Sequence, residues 1–305
     1  MADIQVPDDP LWPRAARWIL PAADQPSTVC DLALIGIPAY RTSITPTSDN
    51  TTPTAVREAL LRYSTWAGSH GVDVSTLHAL DFGDVEEPDG PEGEARTAAA
   101  VTHAARHARL LVAIGGDNSL TYSAMRGLFP GGLENCGLIT VDAHHDLRDG
   151  ETNGSPVRRL LEAGLPGCNI AQIGIADFSN SPAYAQRAHD RGITVITRAE
   201  VREHGLAHSA ARALGTAGDG GRPVFVDIDV DVCDRAAVPG CPSAAPGGLS
   251  ADELRRLALH FGRAPEVRGI DITEIDAAID APDGRTVRLA ALLVLEAATG
   301  LALRV

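Results

Sequence analysis

The sequence contains no lysine, and all 26 of its basic residues are arginines. A catalytic Schiff-base lysine and the lysine of a phosphate-binding loop are therefore excluded. Aromatic residues make up only 4% of the chain, which argues against an aromatic stacking platform for single-stranded nucleic acid. No apolar run reaches the ~18 residues that a membrane-spanning helix needs.

Positive charge is scarce relative to negative charge. The 40 acidic residues give a formal net charge of −14 and a pI near 5.1. We do not expect such a chain to bind nucleic acid or an anionic membrane. The N-terminus lacks a signal-peptide pattern, and the five cysteines form no CxxC pair. Both features favour reduced thiols and a cytoplasmic location.

Short aliphatic runs alternate with amphipathic segments along the chain. Most of the aliphatic runs are nearly continuous, which is typical of parallel strands that are buried on both faces. The predicted strands are 32–38, 110–117, 137–146, 170–177, 193–200, 223–232 and 267–275. The predicted helices include 53–63, 95–110, 181–191, 208–215 and 250–261, the last with a Ser250 cap.

This alternation predicts an α/β fold, specifically a three-layer α-β-α sandwich with a mostly parallel sheet. The segments 86–94 and 215–222 are rich in glycine and acidic residues, and we expect both to be surface loops. We find no internal repeat and no clear domain boundary. The sequence therefore predicts a single catalytic domain over 1–305.

Four polar clusters follow predicted strands. They are 115–119, 142–146, 227–234 and 271–274. Ligands of open α/β sheets bind beyond the carboxyl ends of the strands, where these clusters would lie.

Within such a strand end, residues two apart point the same way. Asp142 and His144 should therefore face one side, as should Asp229 and Asp231, while Asp146 joins them if the chain turns. Buried carboxylates at this density would repel one another unless cations lie between them. Oxygen ligands with little imidazole favour Mn²⁺ or a related metal over a structural zinc.

These motifs resemble those of the ureohydrolase superfamily, which contains arginase, agmatinase and formimidoylglutamase. The DAHxD motif of that superfamily appears as Asp142 to Asp146, and its DxDxxD motif as Asp229, Asp231 and Asp234. The resemblance covers most of the chain and implies an arginase-like α-β-α fold.

The resemblance also implies two Mn²⁺ ions per chain, which activate a bridging hydroxide. The matching ligands are Asn118, Asp142, Asp146 and Asp229 for the first ion, and Asp142, His144, Asp229 and Asp231 for the second. Asp146 matches the residue that carries a proton to the leaving amine, and Glu274 matches the one that orients the cationic C=N group.

The chain departs from the superfamily pattern at Asn118. The first motif there usually ends in histidine, and an amide oxygen is a weaker ligand for this class of metal. We therefore expect the first metal site to bind less tightly. His145 does not replace the missing imidazole if the strand is extended, because its side chain then points opposite to His144.

The loop after Asp146 resembles that of formimidoylglutamase more than that of arginase, because it has no histidine and contains a DLR and an NGSP segment. The resemblance implies hydrolysis of N-formimidoyl-L-glutamate to L-glutamate and formamide, a step of histidine degradation. Arginine binds carboxylates bidentately, which suits such a dicarboxylate. The candidate substrate-binding residues are Arg148, Asn153, Ser155, Arg158, Asn180 and Glu274.

Two other functions remain open from the sequence. One is hydrolysis of a guanidino compound with release of urea, as in agmatinase or guanidinobutyrase. The other is a metal-poor binding protein without catalysis, for which Asn118 is the only motivation. In each case we expect a small-molecule ligand, and the resemblance implies a homo-oligomer.

Overall fold

The computed structural model describes residues 9–25, 29–48 and 51–304. The strands are β1 (Leu20–Pro21), β2 (Cys30–Ile37), β3 (Trp66–Ala67), β4 (Val72–Asp73), β5 (Ala79–Asp84), β6 (Ala108–Gly115), β7 (Gly137–Val141), β8 (Ile170–Ile175), β9 (Thr194–Thr197), β10 (Val224–Asp229) and β11 (Val267–Thr273).

Ten α-helices lie within the described ranges. They are α1 (Ala15–Trp18), α2 (Thr52–Ala59), α3 (Gly90–Ala105), α4 (Leu120–Leu128), α5 (Pro156–Glu162), α6 (Pro182–Asp190), α7 (Arg198–His204), α8 (Leu206–Ala217), α9 (Ala251–Arg263) and α10 (Arg285–Ala302).

Nine strands form one parallel sheet in the order β1-β5-β2-β6-β11-β10-β7-β8-β9, and β3 pairs with β4 in a small antiparallel ribbon. Helices cover both faces of the large sheet. Along β6, Leu110, Val112 and Ile114 join the hydrophobic core on one face, and Leu111 and Ala113 join the core on the other. The predicted α-β-α sandwich with a parallel sheet is confirmed, and the double coverage explains why the strands lack alternation.

The Ser250 cap is also confirmed. Its hydroxyl accepts a hydrogen bond from the backbone N–H of Glu253, and the Glu253 carboxylate accepts one from the Ser250 backbone in return. This reciprocal pair satisfies two N–H groups that a helix start otherwise leaves without partners.

Several predicted boundaries are wrong. The segment 86–94 is not a loop throughout, because α3 begins at Gly90 with Pro91 in its first turn, where the missing N–H of proline removes no helical hydrogen bond. The helix predicted over 95–110 ends at Ala105, since β6 begins at Ala108. Similarly, α8 continues into the predicted loop 215–222 as far as Ala217.

Candidate metal centre and substrate pocket

Four neighbouring strands at the middle of the sheet carry all four polar clusters. The strands are β6, β11, β10 and β7 in spatial order, and all run parallel. Their carboxyl ends therefore meet at one edge. In register, Asp227 of β10 lies opposite Asp271 of β11, and Asp229 lies opposite Thr273.

A first group of possible metal ligands consists of Asp142, His144 and Asp231, each of which offers an atom within 4.8 Å of the others. His144 Nδ1 lies 2.7 Å from Asp231 Oδ2 and 3.5 Å from Asp142 Oδ1. Burial opposes protonation of the ring, but the two carboxylates outweigh it and raise the pKa of His144 to about 12. The His144 ring thus lies between two carboxylates.

A second group consists of Asp142, Asp146 and Asp227, again within 4.8 Å of one another and all buried. Burial and the Asp231 carboxylate raise the pKa of Asp142 to about 6. Burial also raises the pKa of Asp146 and of Asp227 well above the ordinary value, and neighbouring carboxylates add to it. Asp142 belongs to both groups, so the two candidate sites adjoin.

Asp229 lies beside these groups but belongs to neither within the described part of the chain. Its Oδ1 accepts a hydrogen bond of 2.7 Å from the Asp231 backbone, and its side chain lines the pocket described below. Burial raises its pKa well above the ordinary value.

Both polar atoms of the Asn118 side-chain amide lie within hydrogen-bond distance of neighbouring side chains. Its Nδ2 donates to Asp146 Oδ2 at 2.6 Å. Its Oδ1 accepts from the hydroxyls of Thr121 at 2.8 Å and Thr273 at 3.1 Å. Each of these hydroxyls has one proton and also lies near a carboxylate oxygen, Asp271 Oδ2 at 2.8 Å from Thr121 and Asp227 Oδ1 at 3.3 Å from Thr273. When both hydroxyls donate to the amide, both lone pairs of Asn118 Oδ1 are used and none is left for a cation.

The donor set fits divalent manganese. Asp142 Oδ2 is fully buried and has no hydrogen-bond partner, which is costly for a carboxylate oxygen. The groups around it are carboxylates and one imidazole, the ligands that suit metals of this class. A divalent cation would satisfy the orphaned oxygen and offset the repulsion among the acidic side chains.

Asp146 and Glu274 both have left-handed backbone conformations, with φ of +54° and +60°. Such a conformation costs a non-glycine residue about 1–3 kcal/mol and is concentrated at functional sites. The Glu274 backbone is held by a 2.6 Å hydrogen bond from its N–H to the Gly116 carbonyl. The turn after each strand thus directs the carboxyl group back toward the sheet edge.

Glu274 is buried beside the metal ligands. Its Oε1 accepts from the Asn118 backbone at 2.9 Å and from Asn153 Nδ2 at 2.8 Å, and its Oε2 accepts from Ser243 Oγ at 3.2 Å. Burial, together with the Asp117 carboxylate, raises its pKa to about 7. Hydrogen bonds therefore fix the orientation of the Glu274 carboxyl group, which in its ionised form would attract a cationic ligand.

A pocket of about 240 Å³ opens above this cluster. Its volume suits a small metabolite. Its lining includes the side chains of the acidic cluster, namely His144, Asp146, Asp229, Asp231 and Glu274. Asn153 and Asn180 also line it, although the Asn180 amide is already bonded to the backbone of His145 and Ala143.

Arg148 lines the same pocket and is exposed. Among the described residues its guanidinium has no hydrogen-bond or ion-pair partner. Its aliphatic stem crosses Gly154, where an added Cβ would lie 2.8 Å from Arg148 Cδ. The glycine therefore gives the side chain room to lie against the loop.

Two predicted substrate-binding residues do not line the pocket. Arg158 donates through Nε to the Arg148 carbonyl at 2.7 Å and pairs with Glu162, so it holds the loop in shape. Ser155 is buried, and its hydroxyl donates to the Thr152 carbonyl. His145 turns away as expected, with Nδ1 2.6 Å from Gln172 Oε1 on β8.

Sequence reasoning missed two polar residues at the site. Asp227 contributes to the second group of possible ligands, and its signal was its position two residues before Asp229 on the same strand. The Ser243 hydroxyl, from a distant loop, lies 3.2 Å from both Asp231 Oδ2 and Glu274 Oε2 and can donate to either, and nothing local in the sequence indicates that contact.

In the described part of the chain, no helix combines the length and apolarity that crossing a membrane requires.

A family model described as the arginase family matches residues 30–300. The formimidoylglutamase of Halalkalibacterium halodurans is 34% identical over 271 residues, which cover 86% of this chain and 84% of that protein. The guanidinopropionase of Pseudomonas aeruginosa is 33% identical over 194 residues, 61% of this chain and 59% of that protein.

Solved structures give the same similarity. The crystal structure of formimidoylglutamase from Bacillus subtilis superimposes with a TM-score of 0.91 at 30% identity, over 100% of this chain and 96% of that one. The structure of Trypanosoma cruzi formiminoglutamase with Mn²⁺ gives a TM-score of 0.87 at 26% identity, over 96% of this chain and 100% of that one.

Proposed function

Because the chain belongs to the arginase family, we propose that it is a manganese-dependent hydrolase of a linear amidine C–N bond. The proposed substrate is N-formimidoyl-L-glutamate, and the products are L-glutamate and formamide. The formimidoylglutamases at 34% sequence identity and the structural similarity to two such enzymes support this reaction class.

Two Mn²⁺ ions would be held by the acidic side chains at the centre of the sheet edge and by His144. When bound, a pair of divalent ions lowers the pKa of water and so supplies a nucleophile at neutral pH. Asp142 belongs to both groups of ligands and would hold the two ions together. The metal-free chain is then expected to be inactive.

Glu274 and Asp146 would act on the substrate itself. The Glu274 carboxylate, fixed by Asn118, Asn153 and Ser243, would attract and orient the cationic amidinium group. Asp146 would carry a proton to the leaving amine, because its carboxyl group lines the pocket beside the metal ligands.

The unpaired guanidinium of Arg148 is the main observation in favour of this substrate. A guanidinium that lines the pocket and has no partner among the described residues is available to bind a carboxylate bidentately. Formimidoylglutamate carries one carboxylate on the carbon that bears the amidine nitrogen and a second one at the remote end of its side chain. Arg148 would therefore fix the tail while Glu274 orients the reacting group, with Asn153 beside it.

A guanidino acid is the second candidate substrate. Its single carboxylate would also pair with Arg148, and a guanidinopropionase is among the relatives. Agmatine is less suitable, because its ammonium tail would be repelled by the same arginine. A non-catalytic binding role lacks support, because the acidic side chains and His144 all lie together at the pocket.

The decisive experiment is a substrate panel run with added Mn²⁺. Purified protein is incubated with N-formimidoyl-L-glutamate, 3-guanidinopropionate and agmatine, and formamide and urea are both measured. We expect formamide release with the first compound to exceed urea release with the others. Urea from a guanidino acid without any formamide would overturn the substrate assignment, and no turnover of any compound would favour the non-catalytic role.

A further inference from the structure

The Asp227 carboxyl group lies outside the metal-ligand set that the sequence motifs imply, yet it reaches the same cluster. It is fully buried within β10, two residues before the strand ends, and one of its oxygens lies within 4.8 Å of atoms of both Asp142 and Asp146. The other two members of this group are among the residues matched by the motifs. Asp227 is thus the added member.

Asp227 has an oxygen to offer, whereas Asn118 has none. Asp227 Oδ1 lies 3.3 Å from the Thr273 hydroxyl, and its Oδ2 receives no hydrogen bond from an N–H or hydroxyl donor, although the carboxyl groups of Asp227 and Asp271 lie within hydrogen-bond reach of each other. Asp142 Oδ2 in the same group likewise has no N–H or hydroxyl donor. Two fully buried carboxylate oxygens without such a donor in one cluster indicate a position for a cation.

Asn118 lies directly beside Asp227, because Thr273 contacts both. The Thr273 hydroxyl is 3.1 Å from Asn118 Oδ1 and 3.3 Å from Asp227 Oδ1. Asn118 Nδ2 meanwhile donates to Asp146, so the amide presents a donor, not an acceptor, to the second group. A cation near Asp146 would therefore take a further oxygen ligand from Asp227 on β10 and not from Asn118.

We propose that Asp227 is a direct ligand of the metal at the Asn118 site and supplies the ligand atom that Asn118 does not. The second group, Asp142, Asp146 and Asp227, would then hold one Mn²⁺, next to the ion at Asp142, His144 and Asp231. This inference rests on the metal requirement of the proposed function.

The competing role for Asp227 is to share a proton with Asp271. The two residues lie opposite each other in the register of β10 and β11, and Asp271 also has an oxygen without a partner. Asp271, however, does not belong to either group of possible ligands among the described residues, and its Oδ2 lies 2.8 Å from the Thr121 hydroxyl, which also contacts Asn118. The pair therefore offers a matched control.

The test is calorimetric titration of metal-stripped protein with Mn²⁺, in the wild type and in the isosteric variants Asp227→Asn and Asp271→Asn. We expect Asp227→Asn to weaken one of the two sites by at least about 10-fold, because loss of a ligand costs no less than loss of a residue that orients one. Asp271→Asn should change the affinity much less. Equal losses in both variants, or wild-type affinity in Asp227→Asn, would overturn the proposal.

A second measurement asks whether a histidine at position 118 replaces Asp227. In the Asp227→Asn background, Asn118→His should restore most of the lost Mn²⁺ affinity, and the gain should exceed the gain of Asn118→His alone. If the double variant binds as weakly as Asp227→Asn, Asp227 is not a substitute for the missing imidazole.

Thermal unfolding separates ligation from a structural role even if the calorimetry is difficult. Without metal, Asp227→Asn should unfold at the same or a higher temperature than the wild type, because a buried acidic group is removed. With Mn²⁺, its stabilisation should be smaller than in the wild type. A lower midpoint without metal and an equal rise with metal would overturn the proposal, and Asp227→Ser repeats the test if the Asn variant does not fold. If the wild type itself binds no Mn²⁺, the proposed function fails first.

Discussion

Individual side chains at the pocket divide into those that would act on the substrate and those that hold the others in place. Arg148 has no partner among the described residues and lines the pocket, whereas Arg158 is fully engaged by the loop beside it. Asn180 lines the pocket but uses its amide on the backbone. The availability of a polar group, more than its presence on the lining, decides which residues we expect to affect substrate binding.

Replacing Arg148 with alanine should raise KM for formimidoylglutamate about 10- to 100-fold, because a charge-assisted hydrogen bond is lost. Metal content should not change, since Arg148 contacts none of the ligands. Steady-state kinetics and metal analysis check both expectations. Arg126→Ala removes the same charge from an exposed position of α4 and should leave KM unchanged. An equal rise in KM in both variants would show that Arg148 acts only through long-range electrostatics.

Glu274→Gln preserves the shape of the side chain but removes its charge. We expect kcat/KM to fall about 100-fold or more, because the amidinium loses its fixed counter-charge. Mn²⁺ affinity measured by titration should stay close to that of the wild type, as Glu274 belongs to neither group of ligands. A kcat/KM within a few-fold of the wild type would remove Glu274 from the catalytic assignment.

At the scale of elements, glycines set how closely the helices that support the sheet can approach. Helices α9 and α10 pack against each other through Gly262 and Gly300. A Cβ at Gly262 would lie 2.3 Å from the Ala297 carbonyl oxygen, and one at Gly300 would lie 2.4 Å from that of Leu259. Both contacts involve backbone atoms, so the helices would have to move apart.

Two glycine-to-alanine substitutions in helices should therefore have opposite effects on stability. Gly262→Ala should lower the free energy of unfolding by about 1–3 kcal/mol through overpacking. Gly215→Ala in α8, where an added Cβ meets nothing within 4 Å, should raise it by about 0.4–1 kcal/mol. Denaturant unfolding of the two variants checks the signs, and stabilisation by Gly262→Ala would contradict the close packing of α9 on α10.

Seven strands of the large sheet were predictable because most of them are apolar almost throughout. The structure also contains β5 and α10, which the sequence patterns did not indicate. β5 contains a glycine and three of its six residues are polar or glycine, so it lacks an apolar run. α10 is buried on most of its circumference, so it lacks the polar stripe that marks an amphipathic helix.

The sequence motifs predicted most of the residues that form the candidate site, but not where each side chain points. Spacing along the strands placed Asp142, His144, Asp229 and Asp231 on one edge of the sheet. It could not tell that Arg158 turns toward its own loop, because that contact depends on the bend of the chain after the strand. The period of two along β10 places Asp227 on the same face as Asp229, but it does not say how near Asp227 lies to Asp142. Positive φ angles such as that of Asp146 have no signature in a single sequence.

For the whole molecule, the acidic cluster makes stability depend on metal. Adding Mn²⁺ to stripped protein should raise the unfolding temperature, because a ligand that binds only the folded chain stabilises it by about 2.7 kcal/mol at 100 times its Kd. Chelation should reverse the rise, and Mg²⁺ should produce a smaller one since it tolerates imidazole poorly. An unfolding temperature that does not respond to Mn²⁺ would contradict the metal assignment.

Assembly is a separate property at this scale. The homo-oligomer implied by the family resemblance stays a prediction, and light scattering of the purified protein measures it.

The proposed function requires that formamide release depend on bound Mn²⁺. Metal-stripped protein is titrated with Mn²⁺ at saturating N-formimidoyl-L-glutamate, and the rate of formamide release is followed. We predict no release without metal and a maximum near two equivalents per chain. Full activity before any Mn²⁺ is added, or no formamide at saturating Mn²⁺, would contradict the account.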